Sequence, residues 1–309
     1  MVGLSFVDDL VKLWIGVRSS ALSLAVSSLR DELMNSELTF DLDSFKGLEY
    51  AGWQKGAASY DDLLGSVTRF AMVPLLDATD VRAGSQVLEV CCGLGYGAGA
   101  ALSRGASAIG IDFAPAMVEA ARRRYPKAVF KQGDAEALDL DTGAFDAVIC
   151  AFGINHLQRP ESAIAEALRV LRPGGKYAFT MWCVPGKSKF HQLVVESIRT
   201  HGTLDVPLPG APPPFRFSEP ETCTAALLEA GFINPRVSEV PLAFRPSAPE
   251  QVLDLAYNAV RLEMILSSQT AEARERIHRA IIEGAERFRV GRKIEIPMPA
   301  VLALATRAK

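Results

Sequence analysis

No run of about 18 uncharged apolar residues occurs anywhere in the 309-residue chain, so no transmembrane helix is expected. Excess charge of either sign is missing too. The 33 basic and 36 acidic residues leave a net charge of −3, which gives no electrostatic reason to expect nucleic acid as a partner. Cysteine is scarce: Cys91, Cys92, Cys150, Cys183 and Cys223 are odd in number and contain no C-x-x-C pair. A reduced, cytoplasmic protein fits that usage, and a zinc site does not, so no metal is expected. The N-terminus lacks the form of a signal peptide. Asp8, Asp9, Lys12 and Arg18 interrupt its apolar positions, and no small-residue cleavage site stands out.

What is present is an ordinary globular composition, 49% hydrophobic and 22% charged, in a chain long enough to bury a sizeable core. The stretch that organises it is Gln86 to Ala100. Val87-Leu88-Glu89-Val90 reads as a buried parallel strand, and Gly93, Gly95, Gly97 and Gly99 follow at alternate positions. A strand running into a glycine-rich turn and a helix is how α/β proteins hold nucleotide-like ligands. The plain alternative is a tight strand-to-helix turn with no ligand.

From residue 86 strand and helix signals alternate, implying βαβ units and a parallel sheet. Strands are read at 86–91, 107–112, 128–131, 145–151 and 175–182, with helices at 97–104, 115–124 and 160–171. Later come helices near 190–201 and 219–230, a strand near 235–244, helices at about 248–267 and 271–289, and a last strand at 299–306. Before the core, residues 5–34 carry a helical apolar stripe. It would pack on its own domain or on a second subunit, making a homo-oligomer plausible. The serine-rich polar face speaks less for a membrane-surface helix. Residues 38–65 are aromatic and irregular, and could fold back as a lid.

The second strand ends at Asp112, where a carboxylate can accept both hydroxyls of a ribose. Asp134 follows the third strand, where it can accept a hydrogen from an adenine amino group. The pieces V-L-E-V-C-C-G-L-G at 87–95, G-I-D-F-A-P-A-M at 110–117, G-D-A-E at 133–136, F-D-A-V-I-C-A-F-G at 145–153 and R-V-L-R-P-G-G-K at 169–176 stand in register. Together they resemble the class I S-adenosylmethionine-dependent methyltransferases, in particular the small-molecule branch that includes ubiquinone and menaquinone C-methyltransferases.

The resemblance implies an α/β fold. It is a doubly wound, mostly parallel seven-stranded sheet with an N-terminal helical extension and a helical cap inserted before the last strand. Residues 1–80 would be the extension and lid, 81–183 the Rossmann-like cofactor core, and 184–309 the remaining strands with an acceptor-binding cap. It also implies S-adenosylmethionine as cofactor and S-adenosylhomocysteine as product. Glu89 and the backbone at Cys91, Gly93 and Gly95 would hold the methionine part, and Asp112 the ribose. Phe113 and Met117 would pack on the adenine, Asp134 and Ala135 would read its edge, and Ala151 and Phe152 would close the other side. One departure stands out. The family has glycine where this chain has Cys91, and cysteine lacks glycine's freedom at positive φ.

Methyl transfer needs alignment more than acid–base machinery. Where the acceptor must lose a proton, His156, after the fourth strand, is the expected base; otherwise it is a polar loop residue. His191 and His201 rank behind it. The parts outside the resemblance are apolar and aromatic, and Tyr50, Trp53, Tyr60, Trp182, Phe190, Phe215 and Tyr257 are the expected acceptor-binding residues. They point to a lipophilic natural-product-like acceptor, such as a polyketide, terpenoid, quinone or phenol, methylated on O or C. A nicotinamide-dependent oxidoreductase, a cyclase or a non-methylating scaffold on the same fold are the alternatives.

Overall fold

The apolar run at 87–90 forms a strand because it is covered on both sides: in β1 (Gln86–Val90) every residue after Gln86 is buried. The computed structural model describes residues 44–309 apart from Leu208. The expected 5–34 helix, and any oligomer formed through it, lie outside the described residues, as does Leu208.

Six further strands complete one sheet. They are β2 (Ser107–Asp112), β3 (Val129–Gln132), β4 (Phe145–Ala151), β5 (Leu171–Trp182), β6 (Phe232–Val240) and β7 (Ala300–Arg307). Their order is β3-β2-β1-β4-β5-β7-β6. Strands β1 to β5 pair in parallel. β7 alone is reversed, pairing antiparallel with β5 and β6. The doubly wound, mostly parallel sheet is therefore as the sequence implies. The order turns back between β1 and β4, which leaves a crevice beyond their carboxyl ends.

β5 starts four residues earlier than expected. Between Phe145 and Ala147 its register with β4 jumps from Leu171 to Lys176, so Arg172-Pro173-Gly174-Gly175 bulges out of the ladder. Gly174 takes φ +81° there, a conformation glycine adopts without strain. β6 spans Phe232–Val240 rather than 235–244 and carries Pro235. A proline is tolerated because β6 is the sheet's edge.

The helices fill both faces and the cap. In chain order they are α1 (Phe45–Gly56), α2 (Met72–Ala78), α3 (Tyr96–Ser103), α4 (Pro115–Arg124), α5 (Pro160–Val170), α6 (Lys189–His201), α7 (Pro220–Glu229), α8 (Glu250–Asn258), α9 (Val260–Ser267) and α10 (Ala271–Ala285). Before α2, a turn leads into a short helix at Gly65–Thr68 and then a 3-10 turn. The segment read as aromatic and irregular contains α1, started by Ser44, whose Oγ accepts the Gly47 N–H at 3.1 Å.

The expected single helix at 248–267 breaks at Ala259, which is extended at φ −89°, ψ 110°. The break seats Val260 against α1, where a Cβ on Gly52 would lie 2.6 Å from a Val260 methyl. One residue further, the same register brings Arg261 to Glu49 of α1. No described helix is long and apolar enough to cross a membrane.

Candidate active site

The glycine-rich turn is built around a buried carboxylate. Glu89 on β1 is 2% exposed. Its Oε1 accepts the Gly97 N–H at 2.9 Å and its Oε2 the Ala98 N–H at 2.8 Å, two donors in the first turn of α3 that have no intrahelical partner. Burial pushes its carboxyl up to about 8, against the pull of those two N–H groups. Glu89 does not line the cavity beyond the turn. Its carboxylate caps the first turn of α3.

Gly97 follows from that cap, since a Cβ there would sit 2.5 Å from Glu89 Oε1 and 2.6 Å from Ile149 Cδ1. Gly97→Ala should cost about 1–3 kcal/mol, the usual range for overpacking a tight core. Urea unfolding checks this, and an unchanged midpoint would contradict it. Gly95 also fails to line the cavity. It occupies φ +77°, and a Cβ would meet the Phe130 ring at 2.6 Å; its role is the turn into α3.

Beyond the carboxyl ends of β1, β2 and β4 lies a solvent-open cavity. Cys91, Gly93, Asp112, Phe113, Met117, Asp134, Ala135, Ala151, Phe152 and His156 all line it. Asp112 is 6% exposed. Its two oxygens accept the Gly93 N–H at 2.8 Å and the Ala114 N–H at 3.0 Å. Burial raises its carboxyl to about 6, although those N–H groups and the nearby His156 favour the charged form. At Gly93 a Cβ would meet nothing within 4 Å, so the main chain there faces open space. Asp134 is already engaged: its Oδ2 is 2.5 Å from Lys46 Nζ and its Oδ1 accepts the Glu136 N–H at 2.9 Å. Lys46 reaches from α1 and also pairs with Glu136 at 3.1 Å.

Cys91 takes the left-handed conformation expected of glycine, at φ +53°, so the turn keeps its course. The crowding is relieved opposite, at Gly153, where a Cβ would lie 2.4 Å from Cys91 Cβ. The Cys150 thiol and burial push the Cys91 thiol well above its ordinary value, so it is no nucleophile at neutral pH.

A second cavity opens under the cap. Phe190, Phe215, Met181 and Ile265 give it an apolar wall, and Asn155, His191 and Arg261 its polar points. Trp53, Leu64, His156 and Trp182 line both cavities. The expected acceptor residues thus gather, with two exceptions. Tyr50 is 2% exposed and stands edge-on behind Phe113 at 5.8 Å. Tyr257 lines neither cavity, and its hydroxyl lies 2.8 Å from His278 Nε2. Tyr60 lines the first cavity rather than the second, with its hydroxyl 3.2 Å from Thr68 Oγ1. His191 is buried, which pulls its imidazole down to about 3; it is neutral and bonded to Ser188 Oγ at 2.7 Å.

His156 sits on the 3-10 turn after β4. Its Nδ1 is 2.8 Å from Glu49 Oε2 and its Nε2 3.1 Å from Asn155 Nδ2. The Trp53 ring meets the imidazole edge-on at 4.9 Å. Glu49 has 0% exposure. Burial favours its neutral form, but His156 and Arg261 outweigh that and hold the carboxyl below its ordinary value. Sequence reasoning missed Glu49, Lys46, Asn155 and Arg261. A lone arginine between Val260 and Leu262, and a lone glutamate between Leu48 and Tyr50, were the available signals.

Residues 88–179 match the model of a family described as a methyltransferase domain. The core of this chain is thus similar to a methyltransferase domain, on a sheet of the order given above. Among curated proteins, the demethylmenaquinone methyltransferase of Renibacterium salmoninarum is 34% identical over 122 residues, 40% of this chain and 52% of that protein. That of Beutenbergia cavernae is 32% identical over 150 residues, 47% and 62% of the two chains. The chain thus spans just over half the length of these relatives. Among solved structures, the YcgJ protein of Bacillus subtilis superposes with a TM-score of 0.51 at 17% identity, covering 78% of this chain and 99% of that one. That likeness concerns the fold. The matched region ends near the close of β5, so α1 and α8–α10 lie outside it. Among the described residues no group of three or more His, Cys, Asp or Glu could hold a metal ion.

Proposed function

We propose that this chain transfers a methyl group from S-adenosylmethionine to an oxygen or carbon atom of a lipophilic small molecule. One observation carries this reading. A polar cradle at the switch point of the sheet and an apolar chamber under the cap share a wall made of His156, Trp53, Trp182 and Leu64.

The first cavity fits the cofactor. Asp112 is a buried carboxylate at the end of β2, placed to accept ribose hydroxyls. Phe113 and Met117 offer apolar faces for a purine, beside Asp134 and Ala135. The open main chain at Gly93 leaves space that any side chain would fill, which suits a close-lying methionine tail. When bound, S-adenosylmethionine supplies a methyl group already activated as a sulfonium. The protein's own work is alignment and exclusion of water. α1 contributes by closing the cradle with Lys46 and Trp53, fixed by Gln54 Oε1 accepting the Ala116 N–H at 2.6 Å. Phe152 and Trp182, stacked at 4.0 Å, form an aromatic partition toward the chamber. His156 is the base for an acceptor that must lose a proton.

The chamber's Phe190, Phe215, Met181 and Ile265 suit an apolar acceptor body. The demethylmenaquinone relatives support a quinone-type acceptor, and the five unpaired cysteines suit a reducing, cytoplasmic setting. Incubation with methyl-labelled S-adenosylmethionine and a panel of lipophilic phenols, quinols and prenyl compounds tests the reading. Label in at least one acceptor is the expected result; no label in any of them would refute it.

A further inference from the structure

The charged groups at the wall between the two cavities are buried and mutually bonded. Glu49 Oε2 lies 2.8 Å from His156 Nδ1 and accepts the Trp53 indole N–H at 3.1 Å. Glu49 Oε1 faces Arg261 Nε at 3.4 Å. Arg261 also donates to the Asn155 carbonyl at 2.8 Å and the Pro212 carbonyl at 3.1 Å. A carboxylate has no proton to give, so the 2.8 Å contact requires the hydrogen on His156 Nδ1. The other ring nitrogen faces a donor, the Asn155 amide, which requires a lone pair on Nε2. The two contacts agree on one tautomer, with Nδ1 protonated and Nε2 basic. Asn155 also holds its amide oxygen buried and, among the described residues, without a hydrogen-bond partner. A half-turn of that amide would let the oxygen accept a proton from Nε2 once the ring is charged.

We propose that Glu49 is a positioning residue for His156, and that the pair selects acceptors that carry an ionisable hydroxyl. This rests on the methyl-transfer reading above. The acceptor's O–H displaces the Asn155 amide from His156 Nε2 and its proton passes to that nitrogen, while the electron pair of the O–H bond stays on the acceptor oxygen. The oxygen, or a ring carbon conjugated to it, forms the bond to the methyl carbon. The carbon–sulfur bond breaks with its electron pair on sulfur, giving a neutral thioether. The imidazolium left behind is balanced by Glu49 and bonded by the Asn155 oxygen. Glu49 belongs to α1, which also covers the cofactor cradle through Lys46 and Trp53, so the base is aligned only with α1 seated.

The tautomer is read directly by long-range ¹H–¹⁵N NMR of the wild-type protein with S-adenosylhomocysteine, the His156 signal being assigned by its loss in His156→Gln. A protonated Nδ1 with a bare Nε2 is expected at alkaline pH, and the opposite tautomer would overturn the proposal. Turnover is then read on the phenol-panel member that takes the most label. Glu49→Gln should lower kcat by roughly 10–100-fold, part of what a positioned base supplies, with KM for the acceptor within about twofold. Placed in His156→Ala, it should cost nothing further, because it acts through that ring.

A merely structural role would instead lower both backgrounds equally, and that additivity would overturn the proposal. Should Glu49→Gln not fold, Glu49→Gln/Arg261→Met removes both charges and faces the same test. Wild-type protein that labels prenyl hydrocarbons but no phenol or quinol would overturn the hydroxyl selection while leaving methyl transfer standing. Protein that labels nothing would overturn methyl transfer itself, and the role of Glu49 with it, whatever the tautomer.

Discussion

His156→Ala is expected to lower methyl transfer to a hydroxylated acceptor by about 10²–10⁴-fold, the range a positioned general base supplies. Binding of S-adenosylhomocysteine should stay within a few-fold of wild type. The size follows from position. His156 lines both cavities, and its ring is held by Glu49 at 2.8 Å and by the Trp53 ring at 4.9 Å. Its removal would delete the proposed proton acceptor, while Asp112 and the main chain at Gly93 keep their own bonds. Steady-state turnover together with calorimetric affinity separates the two quantities. Equal turnover would remove His156 from the chemistry, and a parallel collapse of cofactor affinity would make it a cradle residue instead.

The second large effect concerns Asp112. Asp112→Ala should weaken S-adenosylhomocysteine binding by about 1–3 kcal/mol, because two ribose hydroxyls lose a charged acceptor. Unchanged affinity would refute the assignment. The wild-type protein should show the same dependence through pH. Burial holds the Asp112 carboxyl up at about 6, so in the free protein it takes up a proton as pH falls through that value. The charged form is the one that accepts two hydroxyls, hence affinity should fall below pH 6 and level off above it. The slope approaches tenfold per pH unit, and Asp112→Asn should abolish it. A flat profile between pH 5 and 7 would place the carboxylate outside the binding event.

The sheet and the cradle were legible in the sequence because their signals are local. β1, β2 and β4 are short apolar runs with turn residues at their ends. Asp112 and Asp134 stand at strand ends, which any parallel arrangement gathers on one side. Glu89 also has a structural task that its local sequence does not show. Its place in a matching segment points to ligand contact, and the structure puts its carboxylate under the first turn of α3. Gly97 and Gly99 are spaced as if for a ligand. A Cβ on Gly97 would instead strike Glu89, and one on Gly99 the Tyr125 ring at 2.2 Å.

What the sequence hid was assembled over long separations. Glu49 meets His156 across 107 residues and Arg261 across 212, and no periodicity encodes such pairs. The break at Ala259 is hidden for the same reason: it serves packing of α9 on Gly52 of α1 rather than any local propensity. Cys91 belongs to a third kind. Its residue type argues against a left-handed turn, yet it adopts φ +53° because the opposing residue is Gly153. Only the three-dimensional neighbour shows how the departure from glycine is accommodated.

The most direct test of the account is a calorimetric titration of the protein with S-adenosylhomocysteine and, separately, with NAD. The account predicts one site per chain for S-adenosylhomocysteine, lost or much weakened in Asp112→Ala, and no saturable heat with NAD. Saturable NAD binding with no response to S-adenosylhomocysteine would contradict it.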